Sequence, residues 1–325
     1  MPETLLEASN LRMYFDTREG AVHAVDGVTF KILENEIFGL VGESGCGKTT
    51  VARILMGLYK PTEGSVFYKG RNIFSLKKEE MRRLRRYVQM IFQDPYSSLD
   101  PLMNIERLLI EPLDVHFDVS KDQKRERVFE ILEKVGLSRY HANRYPYEFS
   151  GGQRQRIAIA RALITKPEFV VADEPVSALD ISIQAQILNL MQDLQRDLSL
   201  TCMIIAHDLN VIYHICDRVA VMYLGKIVEL ASVKSIFENP LHPYTKALFS
   251  AIPIPDPKVK THGIILGGEV PSPLNPPHGC RFNPRCPFKQ SICTEREPEF
   301  MEAGDDHFVA CHFFKEIQEK GGNRI

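Results

Sequence analysis

Residues 42–49 combine glycines with a lysine and a threonine in the spacing of a phosphate-binding loop. Glycine N–H groups can curl around phosphate oxygens, while Lys48 adds a cation and Thr49 offers its hydroxyl to Mg²⁺. A plain glycine-rich turn is the alternative. The pattern predicts a nucleoside triphosphate site made of Gly42, Glu43, Ser44, Gly45, Cys46, Gly47, Lys48, Thr49 and Thr50.

The thiol inside this loop needs a separate interpretation. A small side chain suffices at Cys46, so the position indicates no thiol chemistry of its own. A reactive thiol there would make nucleotide hydrolysis sensitive to oxidation or to thiol reagents.

Two carboxylates, Asp173 and Glu174, follow the apolar run 169–172. That run is typical of a buried strand, so we expect both side chains at the strand's carboxyl end, beside the phosphates. Asp173 would hold Mg²⁺ through water, and Glu174 would polarise the attacking water. Without a phosphate loop, two solvated carboxylates would be an adequate explanation.

Further motifs occur at separate places along the chain. The segment 149–153 reads FSGGQ, 177–180 reads SALD, and 204–208 reads IIAHD. Each has a simpler explanation alone, since a serine and a glutamine three residues apart can merely cap a helix and a lone histidine is more often structural. Their joint order is the informative feature, and it singles out Gln93, Ser150, Gly151, Gly152, Gln153, Asp180 and His207.

In order and spacing these motifs resemble those of the ABC ATPases. Residues 149–153 resemble the signature, 177–180 the D-loop and 204–208 the switch-histidine motif, and Gln93 matches the Q-loop. The resemblance implies an α/β fold with a P-loop NTPase core, and cassettes that pair head to tail with ATP between them. The signature residues Ser150, Gly151, Gly152 and Gln153 would then serve the γ-phosphate held by the partner cassette.

The same resemblance assigns roles within the chain. Gln93 joins Thr49 and Asp173 as a predicted contact to Mg²⁺, and Asp180 joins the nucleotide-binding set. An aromatic residue near the N-terminus stacks on adenine in this family, and Phe15 fits the spacing better than the adjacent Tyr14, which stays open as the alternative. The predicted catalytic residues are Glu174, His207, Gln93 and Lys48.

Longer phrases resemble one branch of the family, the oligopeptide/dipeptide/nickel transporters. These are 93–101 (QDPYSSLDP), 239–245 (NPLHPYT) and 279–288 (GCRFNPRCPF), and the match is closest to the F-type ATPase subunit. The resemblance implies a second, non-identical D-type ATPase, two transmembrane permease subunits contacted after Gln93 through about Arg107, and, indirectly, an external solute-binding protein. Peptides, nickel complexes and oligosaccharides all remain open as cargo.

Other classes of ABC protein are less well supported. A soluble ABC ATPase of translation or DNA repair would usually carry two cassettes or a long coiled-coil insertion, and the sequence has neither. A non-catalytic cassette is disfavoured because Lys48, Asp173, Glu174 and His207 are all present.

Cysteines crowd the last quarter of the chain, where Cys280, Cys286, Cys293 and Cys311 follow irregular spacings among prolines. In a reducing compartment such crowding suggests metal rather than disulfides. Thiolates in this number can hold zinc or an iron–sulfur cluster, and loop-borne spacing favours the cluster. Related transporter subunits carry a 4Fe–4S cluster in this extension, so the resemblance implies the same here, with zinc as the alternative.

The surrounding sequence predicts the elements that position these residues. Apolar runs alternate with helical patterns over 1–250, helical patterns dominate about 95–167, and prolines after 239 disfavour further helix or sheet. We therefore predict an α/β nucleotide-binding domain at 1–250 with an inserted helical subdomain, and a small Cys/Pro-rich extension at 251–325.

Charge and hydropathy limit the partners. Lysine and arginine number 40 against 42 acidic residues, a net charge of −2, so nothing predicts nucleic-acid binding. No apolar run reaches the roughly 20 residues of a membrane span, and the start lacks a secretory signal pattern. We predict a peripheral protein at the cytoplasmic face of the cell membrane.

Overall fold

The structure is a computed structural model that describes residues 3–250 and 266–321. The first part of the predicted extension, 251–265, lies outside the described residues. Residues 322–325 lie outside them as well.

The strands within the described residues are numbered β1 to β12 in chain order. They are β1 Thr4–Thr17, β2 Gly20–Leu33, β3 Ile37–Val41, β4 Glu63–Tyr68, β5 Arg71–Asn72, β6 Val88–Ile91, β7 Phe169–Asp173, β8 Thr201–Ala206, β9 Arg218–Tyr223, β10 Lys226–Ser232, β11 Met301–Gly304 and β12 His307–Val309.

The α-helices of the same residues are numbered α1 to α12. They are α1 Lys48–Leu55, α2 Lys78–Tyr87, α3 Pro95–Ser98, α4 Ile105–His116, α5 Lys121–Lys134, α6 Gly151–Leu163, α7 Ile181–Leu198, α8 Leu209–Ile215, α9 Val233–Glu238, α10 Pro243–Ser250, α11 Ile292–Glu295 and α12 Phe314–Gly321.

The chain forms two compact units, each built from separate stretches of sequence. Among the described residues, the helical unit comprises 3–5, 32–37 and 68–205. The phosphate-loop unit comprises 6–31, 38–67, 206–250 and 266–321.

In the helical unit, β6, β7 and β8 form parallel pairs. Ile91 pairs with Ala172, and Asp173 pairs with Ile205, so the carboxyl ends of these strands share one edge. Every residue of β7 is buried, as expected for a parallel strand covered on both faces. This edge carries the residues that follow β6 and β7 in the sequence.

Between β6 and β7 the helical unit contains α3, α4, α5 and α6 and no strand among the described residues. Two of these helices begin at a serine capping box, with Ser120 before α5 and Ser150 before α6. The serine hydroxyl accepts from the backbone N–H three residues on, which satisfies an N–H that the helix itself cannot pair.

In the phosphate-loop unit, β3 runs parallel to β9, and the sheet continues antiparallel through β10, β12 and β11. β12 thus adds a part of the extension directly to the core sheet, with Glu229 opposite Val309. The long β1 lies between β2 and β4 in a second sheet.

Helices and strands do form after residue 239 in the described residues, although the prolines there were expected to disfavour them. Pro243 begins α10, where the first turn needs no proline N–H. β11 and β12 form in the stretch 301–309, which contains no proline.

No helix within residues 3–250 and 266–321 is both long enough and apolar enough to cross a bilayer.

Candidate nucleotide site

The phosphate loop connects β3 to α1 through backbone shapes that favour glycine. Gly42, Gly45 and Gly47 have φ of 155°, 78° and 109°. A side chain at Gly47 would overlap the carbonyl oxygen of Ala24, and one at Gly42 would overlap that of Met222. A Cβ at Gly45, which is exposed, would meet no atom within 4 Å, so glycine is required there by the backbone conformation and not by close packing.

Lys48 begins α1 and closes this loop from inside. Its ammonium donates to the carbonyl oxygens of Gly42 at 2.7 Å and Glu43 at 3.1 Å. The side chain is buried, so these two hydrogen bonds fix the position of the ammonium group inside the loop. A buried cation at a helix N-terminus is suited to an anion of high charge.

Cys46 occupies the inner side of the loop and is buried. Burial raises the pKa of its thiol, although the Lys48 ammonium partly opposes the rise. The thiol is therefore protonated near neutral pH, and a protonated, buried thiol is a poor nucleophile. This environment opposes the expected sensitivity to thiol reagents.

In the helical unit, the structure brings Gln93 and Glu174 together. The Gln93 side-chain amide donates to the Glu174 carboxylate at 2.9 Å. Glu174 follows β7 directly and has φ of 46°, a left-handed conformation that non-glycine residues rarely adopt. Its N–H donates to Ile205, so the strand edge holds this carboxylate in an uncommon backbone shape. Asp173, the last residue of β7, is buried.

The signature segment forms the start of α6. Ser150 and Gln153 make the reciprocal capping box, with N–H to oxygen distances of 3.1 and 3.3 Å. A Cβ on Gly152 would lie 2.6 Å from Ile183, and one on Gly151 would lie 3.3 Å from Leu179. The glycines thus permit close packing, while Ser150 and Gly151 are exposed.

The remaining predicted residues lie in loops or at helix starts. Asp180 is the residue before α7, and His207 is an exposed residue between β8 and α8. Ser44 is exposed, whereas Thr49 and Thr50 are half-buried in the first turn of α1.

The two aromatic candidates on β1 have different neighbours. The Tyr14 hydroxyl donates to Asp26 at 2.7 Å, and its ring lies 4.3 Å from that of His23. Phe15 packs edge-on against Tyr59 at 5.8 Å between ring centroids. Tyr14 is thus part of a polar network, while the Phe15 ring is half-buried beside another aromatic ring.

That network centres on Asp26, a buried carboxylate of β2. It pairs with Arg281 of the extension and lies 3.6 Å from the ammonium of Lys226. Burial alone would raise the pKa of Asp26, but the Tyr14 hydroxyl and these cations outweigh it and lower the pKa. Burial and the same hydrogen bond raise the pKa of Tyr14 to about 12.

Two residues that contact the phosphate loop were not predicted from the sequence. The Tyr244 hydroxyl accepts from the N–H of Glu43 at 3.0 Å, and Arg285 pairs with the Glu43 carboxylate at 2.8 Å. Tyr244 and Arg285 lie in phrases that resemble the oligopeptide branch, but nothing in their spacing links them to residue 43. No signal in a single sequence would have found these contacts.

Among the described residues, the cysteines of the extension lie within electrostatic reach of one another but form no metal-binding group. Within the described residues, no three His, Cys, Asp or Glu side chains are grouped to hold a metal ion. Burial raises the pKa of Cys280 to about 11 and of Cys311 to about 12, with the neighbouring cysteines adding to the rise. Cys311 packs against Leu241, Val309 and Phe314. The predicted 4Fe–4S cluster and its zinc alternative are therefore not supported by the geometry of Cys280, Cys286, Cys293 and Cys311.

Comparison with protein families gives two matches along the chain. Residues 25–177 match the model described as ABC transporter. Residues 228–293 match the model described as oligopeptide/dipeptide transporter, C-terminal region.

Curated relatives match over nearly the full length. A putative oligopeptide transport ATP-binding protein, YkfD of Bacillus subtilis, is 53% identical over 97% of each chain. The oligopeptide transport ATP-binding protein OppF of Salmonella typhimurium is 50% identical over 95% of this chain and 96% of its own.

Solved structures match the nucleotide-binding part. A dimeric bacterial ABC transporter cassette, MJ0796, is 30% identical with a TM-score of 0.65, over 70% of this chain and 98% of its own. The cbiO1 protein of Clostridium perfringens, part of an ABC transporter complex, is 26% identical with a TM-score of 0.65, over 72% of this chain and 91% of its own. With phosphate loop, signature and C-terminal region all present, the chain belongs to the ATP-binding proteins of the ABC transporter family, in the oligopeptide/dipeptide transporter branch.

Proposed function

We propose that this chain binds and hydrolyses ATP to drive an importer of oligopeptides or dipeptides. The observation that carries the proposal is the glycine loop closed around the buried Lys48, in a chain about half identical to oligopeptide transport ATP-binding proteins. The peptide class rests on those relatives, because nothing in the described residues would select a cargo.

Nucleotide binding is assigned to the phosphate loop and to one aromatic ring. Residues 42–50 wrap the phosphates, with Lys48 as their counter-charge. Phe15 stacks on adenine, an assignment supported by the Tyr14 hydroxyl being bonded to Asp26. Thr49, Gln93 and, through water, Asp173 would hold Mg²⁺, whose charge would offset that of the phosphates.

Hydrolysis is assigned to Glu174, which polarises the attacking water. The hydrogen bond from the Gln93 side-chain amide to the Glu174 carboxylate supports this role, because it orients the carboxylate at the end of β7. His207 and Lys48 complete the proposed catalytic set, by contact with the γ-phosphate.

Glu174→Gln tests the assignment directly. The amide keeps the size of the side chain but loses its charge, so MgATP affinity should stay within about threefold while turnover falls by at least about a hundredfold. The measurement compares ATP binding by the full chain with hydrolysis by the assembled transporter. Undiminished hydrolysis would refute the role of Glu174.

A second cassette completes the proposed site. Ser150, Gly151, Gly152, Gln153 and Asp180 would face the nucleotide held by the partner, which we propose to be a non-identical D-type ATPase. The exposure of the α6 start supports this assignment. Coexpression with each candidate partner, followed by ATP-dependent dimerisation, distinguishes a mixed pair from a pair of identical chains.

The permease contact is proposed at the start of the helical segment. A groove of about 470 Å³ there is lined by Tyr96, Ser98, Leu99, Asp100, Pro101, Met103, Leu108, Glu111 and Arg161. Tyr96 is 58% exposed and the neighbouring Leu102 is 86% exposed, so two large apolar side chains beside this groove are available to a partner. We propose that two permease subunits dock here, that the chain works at the cytoplasmic face of the membrane, and that an external binding protein delivers the cargo.

Leu102→Glu tests that docking face. It should abolish copurification with the permease while leaving MgATP binding by the free chain unchanged. Retained copurification and transport would show that the permease binds elsewhere.

No step of this proposal passes through a metal cluster in the extension. Iron, sulfide and zinc assays on protein purified without oxygen measure that site independently. Stoichiometric iron and sulfide would establish the cluster and require the cysteines to regroup on loading, whereas zinc alone would establish the alternative.

A further inference from the structure

Every polar group of Glu43, the second residue of the phosphate loop, is engaged. Its N–H donates to the Tyr244 hydroxyl at 3.0 Å, and its carbonyl oxygen accepts from the Lys48 ammonium at 3.1 Å. Its carboxylate binds Arg285 through both oxygens, at 2.8 Å and 3.2 Å. The orientation of this residue is therefore set by groups outside the loop as well as by Lys48 inside it.

Arg285 is well suited to hold a carboxylate in one geometry. Its side chain is only 8% exposed, and its two terminal nitrogens form parallel bonds to Glu43. The guanidinium also lies 5.9 Å from the centre of the Tyr223 ring. A buried, two-point arginine pair is both stronger and more specific than a single lysine contact.

The segment around Arg285 is itself fixed to the same part of the molecule. Phe282 packs on the rings of Tyr223 and Tyr244, with centroids 5.2 and 5.5 Å apart. Arg281 pairs with the buried Asp26. Residues 281–285, which we call the tail brace, therefore contact the Asp26 network through Arg281 and the phosphate loop through Arg285.

We propose that the tail brace positions the phosphate loop, and that Arg285 sets nucleotide affinity by neutralising and holding Glu43. This inference rests on the proposed binding of ATP to the loop. A carboxylate one residue from Gly42 repels the phosphates unless it is paired, since like charges in a half-buried site are poorly screened. Arg285 touches no reacting atom and is a positioning residue.

Arg285→Met removes the counter-charge but keeps an apolar stem of similar length. The affinity of the full chain for MgATP should weaken on the order of tenfold, because the Glu43 carboxylate is then unpaired beside the phosphates. Glu43→Gln is the second single variant of the cycle. Because it removes the carboxylate charge, the loss of affinity caused by Arg285→Met should be smaller in the Glu43→Gln background than in wild type.

The double variant Arg285→Met with Glu43→Gln distinguishes neutralisation of the Glu43 charge from a packing role of the Arg285 side chain. If Arg285 acts by neutralising Glu43, the double variant should bind MgATP within about threefold of Glu43→Gln alone and more tightly than Arg285→Met. If Arg285 only supports the fold of the extension, the double variant should bind as weakly as Arg285→Met or worse, and that result overturns the proposal.

Two further variants keep the test decisive. Arg285→Lys keeps the charge without the two-point geometry, so a partial loss of affinity is expected even if Arg285→Met fails to fold. Glu297→Gln removes another pair between the extension and the core, the 2.7 Å bond to Lys226. That bond lies outside the phosphate loop, so affinity should not change.

In the assembled transporter the defect of Arg285→Met should appear in KM for ATP and leave kcat nearly unchanged, because Glu174 is untouched. A wild-type chain that fails to bind MgATP overturns the proposed function, and this inference with it. A wild-type chain that binds MgATP, together with an Arg285→Met variant of equal affinity, overturns this inference alone.

Discussion

The phosphate loop and the signature segment are both short glycine-containing turns at the start of a helix, yet they are held very differently. The phosphate loop is enclosed by its own unit, where Met222, Ala24 and Tyr244 approach its backbone closely. The signature is held mainly by its own capping box, and Ser150 is exposed.

This difference indicates that one chain can form the phosphate loop alone, whereas the signature segment is left accessible to another molecule. A loop that binds a charged ligand must be rigid before the ligand arrives, so that no binding energy is lost in ordering it. A turn that serves a partner's nucleotide must instead remain accessible. Changes at the loop should therefore weaken nucleotide binding by the isolated chain, whereas changes at the signature should slow hydrolysis only in the assembly.

The largest effect is expected from Gly47→Ala, which changes the enclosed phosphate loop. The new methyl group would overlap the Ala24 carbonyl oxygen in a backbone conformation that alanine avoids. MgATP binding by the isolated chain should be lost, as measured by calorimetric titration.

Gly70→Ala is the matched control for that change. Gly70 has a similar left-handed φ of 74°, but an added Cβ meets nothing within 4 Å. It should lower stability by only about 1 kcal/mol and leave binding intact. Equal loss of binding in both variants would contradict the role of enclosure at Gly47.

Ser150→Ala tests the exposed side. Loss of the cap should cost roughly 1 kcal/mol of stability, while MgATP affinity of the isolated chain stays unchanged. ATP hydrolysis by the assembled transporter should fall by at least about tenfold, because the variant lacks the hydroxyl that we propose faces the partner's nucleotide.

Ser120→Ala provides the control, since Ser120 and Gln123 form the same capping box with the same distances of 3.1 and 3.3 Å. It should lower the melting temperature by a similar amount without slowing hydrolysis. If both serine variants slowed hydrolysis equally, the effect of Ser150→Ala would be one of stability alone.

Asp26→Asn tests a charge network that belongs to the phosphate-loop unit, because it removes the carboxylate charge at the centre of that network. Because the folded-state pKa of Asp26 is lowered, its charge stabilises the fold above the unfolded pKa of about 3.9, and that stabilisation is lost as pH falls through the folded pKa. The variant should be about 2 kcal/mol less stable at pH 7, since Arg281 loses its partner.

Denaturant unfolding at several pH values measures this difference. The gap between wild type and Asp26→Asn should be constant near neutrality and should shrink below about pH 4. A gap that does not change with pH would show that the carboxylate acts through hydrogen bonding alone.

The smallest effect is expected at Cys46, whose pKa is raised by burial. Labelling by a thiol reagent near pH 7, followed by mass spectrometry, should be slow in the folded chain and fast after unfolding. Cys46→Ser should change MgATP affinity by no more than about twofold. Rapid labelling of the native chain would mean that the loop opens in solution.

The sequence predicted those parts of the molecule that depend on local pattern. The buried strands β3, β7 and β8, the glycine turn at 42–47 and the capping box at Ser150 follow from short-range hydrophobic runs and backbone preference. The ABC family and its oligopeptide branch were predicted from motifs, and the comparisons confirm both.

The remaining parts depend on contacts between residues far apart in sequence. No local rule pairs Arg285 with Glu43 or Arg281 with Asp26, because each pair forms only after the chain has folded back on itself. The strands β11 and β12 were missed for a similar reason. Their stability comes from pairing with β10 rather than from their own short and largely polar sequence.

The distance in sequence between Glu43 and Arg285 has a consequence for how the protein is made. Synthesis delivers the glycine turn long before the arginine, which lies 242 residues further along the chain. A chain released between the last nucleotide motif and residue 280 would carry every recognisable ATPase motif and still lack the arginine that pairs with Glu43. Synthesis past residue 285 is therefore needed before the ion pair at the phosphate loop can form.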